Sequence, residues 1–305
     1  MKNRILTVII CCFVLMFQET AFGQLTTSTQ YLYNPYVINP AAAGLNGNQN
    51  IYANYRLQWV SFPTAPKTAM FSYNGRFNKN GLGLTVANDQ AGSLERNNIS
   101  AAYSYYIPIN ESSRLSVGLA AAYQRFTLSL NSNDRENINL ADPVIADALD
   151  GVNTLDFSTG VFYQNDNGLY AGLSVPNLLQ TKLNGNADIS NDFNDFAAYY
   201  YGLVGYAIKK DKFTFDPSIL LRKETAAPLQ MEINAKVRFM NDLFTLGTSY
   251  RTQDNALGFI FGVNIENKVQ FYYSYDTSFG VMNAYNGGSN EITLGYIFGN
   301  KPKNQ

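Results

Sequence analysis

The feature of this chain that most constrains its fold is a strict alternation of apolar and polar residues, which recurs in about fourteen short stretches. The clearest example is residues 229–239, where one face carries Leu229, Met231, Ile233, Ala235, Val237 and Phe239, and the other carries Gln230, Glu232, Asn234, Lys236 and Arg238. Successive side chains of a strand point to opposite sides, so a period of two predicts a β-strand. A strand of a soluble sandwich alternates too, so the architecture has to be inferred from the whole chain.

The alternating stretches divide the chain into fourteen predicted strands, which is an even number. They cover residues 50–60, 67–77, 81–88, 97–108, 114–130, 154–165, 168–176, 196–208, 212–223, 229–239, 243–252, 256–265, 268–277 and 290–299. In a transmembrane barrel only alternate residues face lipid, which keeps the mean hydropathy low while aromatic residues collect at the two interfaces. The mean hydropathy of -0.17 and the aromatic content of 14% agree with such a barrel.

The connections between these strands alternate in length. Tight turns are predicted at Asn78 to Asn80, Ile109 to Ser113, Asp166-Asn167, Lys209 to Asp211, Met240 to Asp242 and Glu266-Asn267, and longer loops at Ser61 to Pro66, Asp89 to Arg96, Asn131 to Asn153, Asn177 to Asp195 and Ser278 to Ser289. Outer-membrane barrels have short turns and both termini at the periplasmic end. We therefore expect an all-β fold, an antiparallel transmembrane β-barrel of the outer membrane with about 14 strands and periplasmic termini.

The first 23 residues have the pattern of a secretory signal peptide. Lys2 and Arg4 precede an apolar run from Ile5 to Phe17, and Ala21-Phe22-Gly23 is a small-x-small cleavage site. The run is shorter than the ~18 to 20 residues that a membrane-spanning helix needs. We expect a signal peptide at 1–23, a periplasmic or plug-like segment at 24–49, a barrel at 50–299 and a periplasmic tail at 300–305.

The composition argues against several classes of function. The chain has no histidine, and its two cysteines, Cys11 and Cys12, fall within the predicted signal peptide. A Ser-His or Asp-His catalytic pair and a thiolate or histidine metal site are therefore missing, and we expect no enzyme, no cofactor and no bound metal. The formal net charge of -1 lacks the basic excess that is usual for nucleic-acid binding.

Charged residues also occur on the strand faces that are predicted to point into the lumen. They are Glu232, Lys236, Arg238, Arg251 and Asp276. These side chains could line a selective pore. The favoured interpretation is a network of ion pairs that fills the barrel and keeps it shut, because a barrel of this size can be plugged by its own side chains and loops.

Several motifs downstream of the signal peptide match a known family. They are Tyr31-Leu32-Tyr33-Asn34, Ile38-Asn39-Pro40-Ala41 with Gly44, Tyr55-Arg56-Leu57-Gln58-Trp59, Ala65-Pro66-Lys67-Thr68, Asp142-Pro143, Tyr170-Ala171-Gly172-Leu173-Ser174 and the ending from Asn290 to Phe298. Their order and spacing resemble the PorP/SprF family, outer-membrane proteins of the type IX secretion and gliding-motility system. The resemblance implies a non-enzymatic accessory that helps to secrete proteins with a C-terminal sorting domain, such as large adhesins, or anchors them at the cell surface. It implies as partners such a secreted protein, periplasmic lipoproteins of the secretion machinery, and outer-membrane lipid.

Two regions are predicted to contact these partners. The first is formed by the long loops, including Asp142 and Pro143, because binding residues concentrate on loops of a rigid scaffold. The second is the N-terminal segment with Asn39, Pro40 and Gly44, a turn-forming stretch, joined by Arg56 and Trp59 of the first predicted strand. We expect Trp59 to lie near a bilayer interface. The alternatives are a substrate-specific outer-membrane porin or channel on the same fold, and a hydrolase that works through acidic loop residues such as Asp142.

Overall fold

The structure is a computed structural model, which describes residues 28–62, 64–130, 142–178, 181–183, 199–224, 227–252, 255–279 and 287–299. The predicted signal peptide at 1–23 and tail at 300–305 lie outside the described residues. Parts of the three longest predicted loops also lie outside the described residues, namely 131–141, 179–180 with 184–195, and 280–286.

The described wall consists of sixteen antiparallel β-strands. Fourteen are long, and β8 and β10 have only two residues each. The strands are β1 (Gln49–Leu57), β2 (Lys67–Phe77), β3 (Asn80–Ala91), β4 (Leu94–Pro108), β5 (Ser113–Leu128), β6 (Val152–Asn165), β7 (Leu169–Val175), β8 (Thr181–Lys182), β9 (Tyr199–Tyr206), β10 (Ile208–Lys209), β11 (Phe213–Glu224), β12 (Gln230–Phe239), β13 (Phe244–Arg251), β14 (Ala256–Ile265), β15 (Val269–Ser278) and β16 (Ser289–Phe298).

The fourteen long strands form one closed ring. Long strands that follow one another in sequence are paired, and β1 closes the ring by pairing with β16, from Gln49 opposite Phe298 to Leu57 opposite Asn290. Because β9 pairs with both β7 and β11, the short pieces β8 and β10 do not interrupt the ring. The prediction of a fourteen-stranded antiparallel barrel is confirmed, with strand ends that shift by a few residues.

The barrel wall is polar inside and apolar outside, which is the reverse of a soluble protein. On β12, Glu232 and Asn234 are 1% and 2% exposed, whereas Ile233 between them is 46% exposed. Other strands show the same inversion, and Leu119 and Leu173, each 64% exposed, point outwards. An apolar surface that runs around the whole wall far exceeds the patches that soluble proteins expose. The outer face is therefore a lipid-facing surface.

The two ends of the barrel differ. At one end, which we call the short-turn end, the connections range from two residues, Asn78 and Lys79, to six, 207–212. The opposite end, which we call the long-loop end, carries the connection of 129–151 between β5 and β6 and that of 176–198 between β7 and β9. Aromatic rings meet near the short-turn end, where Tyr296 and Phe298 stack with centroids 6.1 Å apart, in the manner of an interfacial girdle.

One predicted long loop, Asp89 to Arg96, is wrong. β3 and β4 continue through it until only Gly92 and Ser93 connect them. Gly92 has a φ of 60°, the positive value that the first position of a type II′ hairpin turn needs. An ion pair of 2.6 Å between Arg96 and Asp89 joins the two strands next to this turn. The polar composition predicted a loop, but cross-strand pairing keeps these residues in the sheet.

The described residues also form four short helices. Helix α1 (Pro143–Asp150) precedes β6 at the long-loop end. Three 3₁₀ helices, Thr29–Leu32, Pro35–Val37 and Pro40–Ala42, precede β1. Within the described ranges, no helix is long and apolar enough to cross a membrane.

Candidate functional site

The lumen of the barrel is occupied by the N-terminal segment. Residues 28–48, which we call the plug, bond to inward-facing side chains of β2, β4, β5, β7, β12, β15 and β16. A segment that contacts strands on all sides of a ring must lie within the ring. The plug folds locally through capped turns, because the side chains of Ser28 and Asn39 accept hydrogen bonds from the backbone N–H groups of Gln30 and Ala41.

Hydroxyl groups of the wall hold the plug by its backbone carbonyls. Ser116 donates to the carbonyl of Ala41 at 2.6 Å, and Ser104 and Tyr106 both donate to the carbonyl of Ala43, at 2.9 and 2.7 Å. Short helices leave their last carbonyls without an internal partner, and these hydroxyls supply one. Each such bond contributes about 1 kcal/mol to the seated plug.

Asn39 ties the plug to two neighbouring strands at once. Its amide group donates to the carbonyl of Val161 on β6 at 3.0 Å and to that of Leu173 on β7 at 3.2 Å. Its side-chain oxygen accepts from the N–H of Ala41 at 2.9 Å. Because this buried amide uses both its donor and its acceptor, replacing it would leave several buried groups without partners.

Glycines of the wall provide the space in which the plug lies. A Cβ atom on Gly81 would lie 2.0 Å from the carbonyl oxygen of Ala43, and one on Gly118 would lie 2.4 Å from the nitrogen of Ala41. These neighbours are backbone atoms, which cannot move aside by changing a rotamer. Wall and plug are therefore fitted to each other at the level of the backbone.

A layer of buried ion pairs lies between the plug and the long-loop end. We call it the ion-pair layer, and its members are Arg56, Arg222, Glu232, Arg251, Asp276 and Glu291. Arg56 bridges Asp276 at 2.8 Å and Glu291 at 3.0 Å. All five charged residues that were assigned to the lumen have a partner of opposite charge, as predicted. Lys236 and Arg238 form their pairs nearer the short-turn end, outside this layer.

The plug begins at this layer. The hydroxyl of Ser28 donates to Glu291 at 2.7 Å, and the backbone N–H of Thr29 donates to the same carboxylate at 3.2 Å. The hydroxyl of Thr29 also bonds to Ser274 of β15 at 2.7 Å. The plug thus runs from the ion-pair layer down to the short-turn end, where β1 starts.

Three tyrosines of the plug pack against the inner wall. The ring of Tyr33 stacks on Tyr272 with centroids 3.9 Å apart and an interplanar angle of 3°, and its hydroxyl bonds to Thr293 at 2.7 Å. Burial raises the pKa of the Tyr33 hydroxyl well above its usual range, and the nearby Glu291 carboxylate adds to this. Burial likewise raises the pKa values of Tyr31 and Tyr36, so all three phenols stay neutral at physiological pH.

Below the plug the lumen opens into a cavity at the short-turn end, which we call the vestibule. Its volume is about 370 Å³, within the range of small-molecule sites. The rings of Tyr33, Tyr52 and Tyr272 form part of its floor, and its wall carries four cationic side chains, Arg114, Lys209, Lys236 and Arg238, and two carboxylates, Asp166 and Asp216. The plug therefore separates an open vestibule from the closed ion-pair layer.

Four of the residues that were predicted to contact partners are buried inside the barrel. Asn39 and Pro40 belong to the plug, and Gly44, with a φ of 72°, rests against the backbone of Gly75. Arg56 is 3% exposed in the ion-pair layer. Their contacts in this structure are with the plug and the wall, so the role that their geometry supports is holding the lumen closed.

The other three predicted contact residues lie at the long-loop end. Trp59 is half-buried, follows the end of β1 with a φ of 54°, and donates its N–H to Ser289 at 3.3 Å. The expectation that Trp59 belongs to the first strand is wrong, because β1 ends at Leu57. Asp142 is partly exposed and comes directly before α1, which begins with Pro143.

Four of the residues that seat the plug belong to none of the motifs that stand out in the sequence. Ser104, Ser116, Gly81 and Gly118 were hidden among the small residues of the lumen faces, and Glu291 lies one residue beyond the start of an ordinary alternating stretch. The available signal was the excess of glycine and serine on inward faces next to a buried N-terminal motif. Small residues on a strand face indicate that another backbone approaches closely.

Comparisons with known proteins agree with this architecture. A family model described as "Type IX secretion system membrane protein PorP/SprF" matches residues 20–296. The toluene transporter TbuX of Ralstonia pickettii superposes with a TM-score of 0.53 at 9% identity, over 87% of this chain and 93% of that one. The CymD monoaromatic hydrocarbon channel superposes with a TM-score of 0.50 at 12% identity, over 91% and 94%. Identities this low indicate a shared barrel fold alone. No curated protein matches the sequence.

Proposed function

The chain belongs to the PorP/SprF family of type IX secretion system membrane proteins, and we propose that it serves this system as a non-enzymatic accessory of the outer membrane. In this role it helps to secrete proteins with a C-terminal sorting domain, such as large adhesins, or anchors them at the cell surface. Membership of the family and the barrel fold support an outer-membrane location and a role in secretion. The client and the step that the protein assists are part of the proposal.

The occupied lumen is the observation that carries the proposal. Asn39 bonds to two wall strands, and the hydroxyls of Ser104, Ser116 and Tyr106 fasten the plug backbone. Opening a path for a solute would require breaking many of these bonds together, each worth about 1 kcal/mol. A barrel that is filled in this way suits a rigid platform that presents binding surfaces on both sides of the membrane.

The proposed orientation assigns the short-turn end to the periplasm and the long-loop end to the cell surface. This follows the general architecture of outer-membrane barrels. β16 ends at the short-turn end, so the C-terminal tail would enter the periplasm, whereas the described chain begins at Ser28 inside the lumen. The client would meet the long loops, including the region around α1, and periplasmic lipoproteins of the machinery would meet the short-turn end.

A channel is the second candidate function. TbuX is a toluene transporter and CymD is a monoaromatic hydrocarbon channel, and this chain shares their barrel fold. Single-channel recording of the purified protein in planar bilayers distinguishes the two functions. We expect no stable open state from the wild-type protein, and steady conductance would favour the channel.

Crosslinked affinity purification tests the accessory role. The tagged protein is crosslinked in cells, solubilised from the outer membrane in detergent and analysed by mass spectrometry. A matched variant carries a flexible linker of the same length in place of α1, residues 143–150. We expect the wild type to recover a large secreted protein with a C-terminal sorting domain, and the linker variant to recover less of it. Recovery of the barrel alone from both preparations would contradict the proposal.

A further inference from the structure

The vestibule at the short-turn end has an excess of positive charge at its opening. Of its two carboxylates, Asp166 pairs with Arg114 at 3.0 Å. Asp216 is buried and is engaged by Lys236 at 3.1 Å and by the hydroxyl of Tyr170 at 2.8 Å. Lys209 is exposed at the rim. Arg238 pairs only loosely with Asp242, at 3.4 Å, and both side chains of this pair are partly exposed to solvent. Such a pair contributes little and is easily exchanged for another carboxylate.

Two polar groups in the vestibule lack a hydrogen-bond partner. Gln270 is 8% exposed and lines the cavity, and its buried side-chain oxygen has no partner within the described part of the chain. The Nε atom of Arg238 also lacks a hydrogen-bond partner among the described residues, while the rest of this side chain is partly exposed. Buried polar groups are almost always paired, so an unpaired group on a side chain that lines a cavity is a candidate contact for a ligand. An amide and a guanidinium together suit the carboxylates and backbone of a peptide.

The floor of the vestibule offers a surface for an apolar side chain. The stacked rings of Tyr33 and Tyr272 lie beside Tyr52, whose ring centroid is 6.3 Å from that of Tyr33. Aromatic rings contribute large contact areas at a low entropic cost. The site therefore combines an aromatic floor, unpaired polar groups on its wall and cations at its opening.

We propose that the vestibule binds an acidic peptide segment of a periplasmic protein, with carboxylates on Arg238 and Lys209 and one apolar side chain on the tyrosine floor. This inference rests on the proposed function, because it assumes that the short-turn end faces the periplasmic machinery. The site also contacts the plug, since Lys236 donates to the carbonyl of Leu32. The vestibule and the plug therefore share a direct contact through Lys236.

A peptide-binding titration tests this proposal on the intact protein in detergent micelles. The probe is a fluorescent hexapeptide that alternates glutamate and tyrosine, followed by anisotropy, and a peptide with glutamine in place of glutamate is the chemical control. The test variant is Lys209→Gln/Arg238→Gln. The matched control, Lys67→Gln/Lys223→Gln, removes the same charge from exposed positions at the long-loop end. Heat-modifiable migration on gels confirms that each barrel is folded.

We expect the acidic peptide to bind the wild type and the long-loop control alike, and the vestibule variant to bind it at least about tenfold more weakly, because hydrogen bonds to charged groups are lost. Equal binding of the glutamine peptide, an equal loss in both variants, or no binding would overturn the proposal. Full competition by inorganic phosphate would also overturn it, since the site would then be a general anion site. If the peptide does not bind while the client is still recovered by affinity purification, only the vestibule proposal fails.

Discussion

Replacing Gly118 by alanine should loosen the plug, because the added methyl group would clash with the plug backbone. Gly118 lies in the middle of β5, and its small size lets the backbone of Ala41 rest against the wall. An added Cβ would lie 2.4 Å from the nitrogen of Ala41 and 2.5 Å from its Cα. Ordinary contacts to a Cβ begin near 3.4 Å, so plug and wall must separate by about 1 Å.

The expected magnitude follows from this displacement. Forcing extra atoms into a packed interior costs about 1–3 kcal/mol. A shift of this size also stretches the bond from Ser116 to the carbonyl of Ala41, now 2.6 Å, which adds about 1 kcal/mol. The seated plug should therefore lose about 2–4 kcal/mol, which corresponds to an increase of about 30-fold to several hundred-fold in the population of its open form.

Amide hydrogen exchange of the plug, followed by mass spectrometry of the folded protein in micelles, measures this population. The matched control is Gly247→Ala, because Gly247 also faces inwards but the nearest atoms to its added Cβ lie at 3.5 Å. We expect faster exchange in residues 36–43 for Gly118→Ala only, with the strand amides unchanged. Equal exchange in the two variants would refute the claim that the wall glycines seat the plug.

Three further predictions address the ion-pair layer, the lipid face and the plug tyrosines. Arg56→Leu should lower the free energy of unfolding in urea by about 3–5 kcal/mol, because two buried carboxylates lose a partner. Arg114→Leu should lower it by less than about 1 kcal/mol, because its ion pair is exposed. Losses of similar size in the two variants would contradict the claim that the ion-pair layer is buried. In a bilayer, Leu119→Arg should lower the free energy of unfolding by about 2–4 kcal/mol, and the control Leu119→Met by less than about 1.5 kcal/mol. If Leu119→Arg left the free energy of unfolding unchanged, this face would not be in contact with lipid. Burial raises the pKa of Tyr33 in the folded state, so its contribution to stability is complete below the ordinary tyrosine pKa of about 10 and is lost as pH rises beyond it. Urea unfolding at pH 8 and pH 11 should show this loss, and Tyr33→Phe should reduce it; a loss of the same size in Tyr33→Phe would exclude this residue as a cause.

The strands could be predicted from the sequence because lipid imposes a local rule. Each strand that crosses the membrane must turn an apolar residue outwards at every second position, and residues 229–239 follow this rule without exception. The rule weakens beyond the membrane, where both faces of a strand meet water. The hairpin around Gly92 and Ser93 lies in that zone, and its polar residues were therefore assigned to a loop.

The contents of the lumen could not be predicted by the same rule. Alternation shows which side chains point inwards, but not what they meet there. Asn39 bonds to backbone groups 122 and 134 residues later in the chain, and no local pattern marks such a contact. For the same reason Arg56, which was assigned to partner contact from its motif, lies instead in the ion-pair layer.

Site-specific photocrosslinking in cells tests the central claim most directly, namely that a closed barrel presents the client and the machinery with opposite ends. One crosslinker replaces Asp150, exposed at the end of α1, a second replaces Lys210, exposed at the short-turn end, and a third replaces Leu246 on the lipid face as background. We expect a large secreted protein with a C-terminal sorting domain to be crosslinked at position 150, a periplasmic component at position 210, and neither at position 246. Adducts at 150 and 210 that do not exceed the background at 246 would contradict this claim.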